Sequence, residues 1–220
     1  MLMHKGLSGF GLRVTSDQIT KWTKGVESSP ILEASCMAQM RESFERKLNP
    51  FETVEIYSFK RGLGEFSFSM PKLPYASGFT TDNKELVRQA VLGYFKRKPR
   101  SIISGFKKVI IQELNKFEDS PSRREIIDLL KICSDEYVMG PYHGDLGFAN
   151  MLVDKKVYLI DFTHSFIHSP FIDVVMMGLS LGSEYTKPWH VDLHKEVVKL
   201  FRGYDLQIEI IKRTKQLGFK

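Results

Sequence analysis

At 220 residues, with 42% hydrophobic side chains, the chain can bury a real core as one large domain or two small lobes, which excludes a disordered polypeptide. No run of about 18 uncharged apolar residues occurs, and Met1-Leu2-Met3-His4-Lys5-Gly6 lacks the apolar stretch and cleavage pattern of a signal peptide, so a cytoplasmic protein is expected. The net charge of +6 is unevenly spread: from Lys84 to Phe117 nine Lys or Arg stand against two acids, a local +7 that suits an anionic partner and, equally, a solvated helix face.

Gly6 to Gly11 reads as a turn, with Leu12-Arg13-Val14 and Gln18-Ile19-Thr20-Lys21-Trp22 as short strands separated by Ser16-Asp17. Ser29-Pro30 opens a helix whose apolar positions Ile31, Leu32, Ala34, Met37 and Met40 recur at helical spacing and which ends before Asn49-Pro50. Val54 to Phe59 alternates, Lys60 to Glu65 turns, and Phe66 to Met70 alternates again, the pattern of a hairpin. Two prolines and a glycine between Met70 and Gly78 mark a lobe boundary, giving an N-terminal lobe 1–72 and a C-terminal lobe 73–220.

Helical patterns dominate thereafter. Leu86, Val87, Ala90, Val91 and Tyr94 form one face, and Ile102, Ile103, Phe106, Val109, Ile110, Leu114 and Phe117 a second. Ser120-Pro121-Ser122 starts a third helix, with Ser122 and Glu125 spaced as a capping box. Two or three more helices follow Phe171. Cys36 and Cys133 lie far apart in apolar helical surroundings and read as buried free thiols.

The chemistry concentrates in His143-Gly144-Asp145-Leu146-Gly147-Phe148-Ala149-Asn150, followed by Val157-Tyr158-Leu159-Ile160-Asp161-Phe162. A carboxylate that can take a proton, a carboxamide five positions later and a second carboxylate ending an apolar strand are what phosphotransfer needs to deprotonate a hydroxyl and hold magnesium. These segments resemble the catalytic loop and metal strand of the aminoglycoside phosphotransferase and choline kinase superfamily. Asp173, twelve positions after Asp161 with Ser169-Pro170 between, extends the likeness. The run from Val157 to Asp173 is also similar to phosphotransferase-like proteins of bacterial surface-polysaccharide loci.

The resemblance implies an α+β, two-lobed protein-kinase-like fold, with a small antiparallel-sheet N-lobe holding one helix and a mainly helical C-lobe. It implies ATP and Mg2+ as cofactors. Asp145 would be the catalytic base, Asn150 and Asp161 the magnesium ligands, and His143 and Asp173 structural supports, Asp173 accepting backbone N–H bonds from the catalytic loop.

For the nucleotide, a lysine on the third strand should reach the α,β-phosphates. Lys21 is preferred to Lys24, since residues two apart share a strand face: Ile19 would then meet adenine, whereas Lys24 would place Trp22 there. Glu33 is the expected partner of that lysine, with Glu42 and Glu45 as later choices. The turn containing Gly9 and Gly11 could lay amides over phosphates or be a simple turn, and Met70 to Leu73 would form a hinge whose backbone reads the adenine edge.

Only eleven residues separate Asp161 from Asp173, which leaves no room for a peptide-docking platform and favours a small-molecule alcohol or sugar as acceptor. Lys96-Arg97-Lys98-Pro99-Arg100 points to an anionic one, such as a sugar phosphate, acidic saccharide or lipid-linked glycan. The aromatics sit at core spacing without interleaved bases, which argues against nucleic acid. A protein kinase, and an inactive module binding nucleic acid, membrane or a protein partner, are the alternatives. His164/His168 and His190/His194 are each four apart, yet neither pair has a third ligand in sequence, so all read as ordinary loop or surface histidines.

Overall fold

The computed structural model describes residues 2–5, 11–24, 29–44, 51–73, 79–97, 100–164 and 166–218. In chain order its first half runs β1 (Leu2–Lys5), β2 (Gly11–Val14), β3 (Gln18–Lys24), α1 (Ser29–Phe44), β4 (Glu52–Thr53), β5 (Ser58–Gly62), β6 (Glu65–Pro71) and α2 (Lys84–Arg97). The remainder is β7 (Ser101–Ser104), α3 (Phe106–Leu114), α4 (Pro121–Ile132), β8 (Glu136–Tyr142), β9 (Met151–Val153), β10 (Val157–Leu159), β11 (Phe166–His168), α5 (Pro170–Ser180), α6 (Trp189–Lys199) and α7 (Asp205–Leu217). Two compact units emerge, Met1–Tyr94 with Ala149–Ser165, and Phe95–Phe148 with Phe166–Lys220. Residues 79–94 and the segment from Ala149 belong to the first of these units.

The first unit holds an antiparallel sheet in the order β1-β2-β3-β6-β5 and a smaller sheet, β4-β10-β9, in which β10 runs parallel to β4. The hairpin of the larger sheet is tighter and later than the alternation predicts. Gly62 pairs with Glu65 across a two-residue turn, Leu63-Gly64, and Gly64 takes the left-handed conformation (φ 70°) that suits glycine. Val54 stays buried without being a strand residue, while β5 is exposed throughout. Alternation at Val54 and Ile56 thus reports burial in the core cluster, not strand pairing.

α1 also turns differently from its expected stripe. Leu32, Ser35, Cys36 and Gln39 face inward against Phe66, Phe68 and Met70, whereas Ile31 and Met37 are 47% and 59% exposed. A helix with apolar residues on more than one side takes its orientation from what it packs against. Gln39 secures this one, its amide donating to the Val54 carbonyl at 2.6 Å. Both cysteines are buried free thiols, and burial together with nearby Glu33 pushes Cys36 up to about 11.

In the second unit β8 is the centre of the antiparallel sheet β11-β8-β7, and α7 packs against α4 and α5. Ile102 and Ile103, expected on a helical face, belong to β7. Gly105, at φ 113°, separates that strand from α3, a break that spacing alone does not show. The cap of α4 is Ser120, whose side chain accepts the Arg123 N–H with Pro121 in the first turn, rather than the predicted Ser122/Glu125 box; Glu125 pairs with Arg213 instead. Three helices, α5 to α7, complete the described residues. Phe201 sits edge-on to Phe95 and Phe171, with centroids 5.7 and 5.6 Å away.

Candidate functional site

On β3, Ile19, Lys21 and Thr23 stand opposite Met70, Phe68 and Phe66 of β6, the residues that face α1. Cross-strand partners share a face, so Lys21 points to the core side of the sheet. Its side chain is only 16% exposed, and its Nζ lies 3.1 Å from Asp161 Oδ1, bridging 140 positions of sequence. Lys24, on the same strand, is solvated and pairs with Glu65.

Glu33 is engaged elsewhere: Arg61 on the edge strand β5 offers its Nε at 3.4 Å, and the expected Lys21–Glu33 pair is not formed. Gly9, Glu45 and the side chain of Glu42 lie outside the described residues. Gly11 opens β2 directly opposite Trp22, and a Cβ there would lie 2.1 Å from the indole. Its lack of a side chain is therefore used by Trp22. Met70 is a buried strand residue, Leu73 packs on the same core cluster, and between them the Lys72 N–H donates to the Asp17 carbonyl at 2.7 Å.

Asn150 and Asp161 flank the open end of the β9–β10 hairpin. Met151 pairs with Leu159, and the next rung is the Ile160 N–H donating to the Asn150 carbonyl at 3.0 Å. Two residues eleven apart in sequence are thereby carried to one place. Asp161 has φ 60°, the left-handed region that Asp tolerates better than most residues but that still costs about 1 kcal/mol. Its side chain is 43% exposed and so open to ligands. An amide oxygen and a carboxylate are hard donors, and magnesium, which keeps several waters, needs only one or two carboxylates. The donor set fits that ion. Among the described residues no group of three or more His, Cys, Asp or Glu forms a richer metal cluster.

In the second unit the loop after β8 is fixed from α5. Asp173, fully buried in the first turn of that helix, accepts the His143 N–H on Oδ2 at 3.0 Å, and the Gly144 and Leu146 N–H groups on Oδ1 at 2.7 and 3.2 Å. Ser169 caps the helix, its hydroxyl accepting the Phe171 N–H. Gly144 takes φ 83°, and the Gly147 N–H closes a tight turn on the Asp145 carbonyl at 2.8 Å. Asp145 remains half-buried while its neighbours His143 and Leu146 are buried.

Sequence reasoning missed two supports of this loop. Ser180 Oγ accepts the Phe148 N–H at 3.4 Å and donates to the Met177 carbonyl at 2.8 Å. His190 is fully buried, with its ring 4.0 Å from that of Phe148. Its Nδ1 accepts the Lys187 N–H at 2.8 Å, and burial together with the Lys187 charge lowers it to about 4. His194 Nε2–H donates to the Val174 carbonyl at 3.0 Å, so neither member of this pair is the surface histidine expected. A lone serine carries no sequence signal, but a histidine beside Trp189 at helical spacing could have been weighed as core.

No family model matches the chain, and no curated protein sequence matches it. Solved structures do. The GDP complex of aminoglycoside 2'-phosphotransferase-IIIa gives a TM-score of 0.69 at 15% identity, covering 98% of this chain and 82% of that one. The fold is that of the aminoglycoside phosphotransferases. Aminoglycoside phosphotransferase APH(3'')-Id from Streptomyces rimosus, in complex with ADP and streptomycin, gives 0.62 at 12% identity over 98% and 92% of the two chains. Choline kinase LicA from Streptococcus pneumoniae gives 0.53 at 15% identity over 100% and 94%. The α+β kinase-like architecture expected from the segments His143 to Asp173 is borne out by this fold.

Proposed function

We propose that the chain is an ATP-dependent phosphotransferase acting on a hydroxyl of a small molecule, a sugar or amino alcohol. The observation that carries this reading is the pairing of Lys21 with Asp161 at the open end of the β9–β10 hairpin, a cation and a carboxylate held together across the length of the chain. Support comes from Asp173, which fixes the loop bearing Asp145, and from structural relatives crystallised with GDP or ADP.

In this reading residues 1–72 form the nucleotide lobe and 73–220 the catalytic lobe. Lys21 binds the α,β-phosphates, and Glu33 steadies it once nucleotide draws it from Asp161. The backbone from Met70 to Leu73 reads the adenine edge. Asn150 and Asp161 would hold magnesium, which would supply positive charge against the charge that develops during phosphoryl transfer. Asp145 orients the acceptor hydroxyl and takes its proton as the oxygen attacks the γ-phosphorus and ADP departs. His143 and Asp173 hold Asp145 in position without touching the reacting atoms.

The test is a nucleotide-consumption screen of the purified protein against sugars, sugar phosphates and amino alcohols, with mass spectrometry of the products. One acceptor should gain a phosphoryl group, and Asp145→Asn should reduce that turnover about 10³-fold while retaining nucleotide binding. Full turnover by Asp145→Asn would exclude the mechanism.

A further inference from the structure

We propose that the second unit docks on the surface of an anionic lipid bilayer through β7 and the outer face of α3. From Lys96 to Gln112 the sequence holds Lys96, Arg97, Lys98, Arg100, Lys107 and Lys108 and no Asp or Glu. Of this segment, β7 and part of α3 face outward. β7 stands at the edge of its sheet with all four residues exposed, Ile102 at 63% and Ile103 at 39%. Edge strands ordinarily carry charge at such positions to discourage pairing, and two exposed isoleucines there call for an apolar partner.

α3 continues the pattern. Phe106, Ile110 and Leu114 are buried, which leaves Lys107, Lys108 and the half-exposed Ile111 on the outer side, with Ile111 one turn from both lysines. The acids beside the patch are few. Asp135 spends its carboxylate on the Gly105 and Lys107 N–H groups at 3.0 and 2.9 Å, Glu136 stands opposite Ser104 on β8, and Glu113 is paired with Lys116. Arg100 is partly occupied, its guanidinium lying 5.0 Å from the Phe201 ring centroid.

Cations alone would match the phosphates of a nucleic acid, but they give the isoleucines nothing to contact. A bilayer interface satisfies both: the apolar side chains enter the headgroup–acyl boundary and the lysines meet anionic headgroups. Among the described residues no helix is long and apolar enough to cross a membrane, so the contact is peripheral.

Co-sedimentation of the full chain with vesicles tests this without nucleotide, and so stands or falls apart from the phosphotransfer reading. The chain should pellet with phosphatidylcholine–phosphatidylglycerol vesicles and not with phosphatidylcholine alone, and added salt should release it. Lys107→Glu with Lys108→Glu, and separately Ile102→Ser with Ile111→Ser, should each weaken binding at least about tenfold, since each group adds to interfacial affinity. Ile102, Lys108 and Ile111 are exposed and Lys107 partly so, and thermal melts of the variants should match the parent. Three outcomes overturn the proposal: no pelleting with anionic vesicles; binding that responds to the lysines but not the isoleucines, as a nucleic-acid surface would; or self-association in solution that the isoleucine variants abolish, as an unprotected strand edge would give.

Discussion

Two aspartates, one in each unit, are held in opposite ways. Asp173 is fully buried and accepts three backbone N–H groups, so its position is fixed several times over. Asp161 is nearly half exposed, sits at φ 60° and pairs with the Lys21 ammonium. The contrast separates two ways of building a site: a loop set rigidly from below, and a charge pair left adjustable. A buried carboxylate bonded to amides cannot move without leaving donors unsatisfied, whereas a partly solvated ion pair can exchange partners at small cost.

The sharpest test of this contrast is Asp173→Ala, which strands three backbone donors and should cost about 3–5 kcal/mol in urea unfolding. Asp161→Ala should cost no more than about 1 kcal/mol, and equal losses for the two would erase the distinction.

A second test acts on the rigid side through acid. In the fold His190 titrates near 4, below its ordinary value of 6.5, so the unfolded chain binds the proton more readily. Stability from this residue is therefore complete above 6.5 and is lost as pH falls towards 4, on the order of 2–3 kcal/mol. His190→Phe should flatten the unfolding midpoint across that window, and an unchanged slope would remove His190 as the cause.

The adjustable side has its own rigid floor. Gly11→Ala drives a methyl into the Trp22 ring and should destabilise by about 1–3 kcal/mol, with altered tryptophan fluorescence. The smallest effect on the fold should come from Lys21→Ala, within about 1 kcal/mol by denaturant. By calorimetry the same variant should lose Mg-ATP affinity about tenfold or more while Lys24→Ala keeps it. Wild-type affinity in Lys21→Ala would move the phosphate-binding role away from that residue.

Much of the architecture is legible in local pattern. β2, β3, α1, α2, α4 and the run of C-terminal helices follow from apolar spacing, proline and caps, interactions that lie within a few residues of each other. What local pattern does not carry is choice among satisfactory options. α1 has more apolar residues than one face needs, and only packing on Phe66 and Phe68 selects Leu32 and Cys36 over Ile31 and Met37. Ile102 and Ile103 fit a helix by spacing, and a glycine with positive φ decides for a strand. Among the candidate residues, the types at His143, Asp145, Asn150, Asp161 and Asp173 stand out by their spacing. Which side chains meet does not, since Lys21 with Asp161 and Glu33 with Arg61 are settled by the sheet's edges and register.

The parallel pairing of β4 with β10 bears on the order of synthesis. Residues 52–53 and 158–159 are adjacent rungs, reinforced by Lys156 and Glu52 at 2.7 Å. The first unit is thus missing two strands, β9 and β10, until translation has passed through α2, α3, α4 and β8. On the ribosome the larger sheet can form early, but Tyr158 and Ile160 arrive late to cover its core. Folding of the first unit should wait on chain that lies beyond the first segment of the second, a long-range closure of the kind that slows folding.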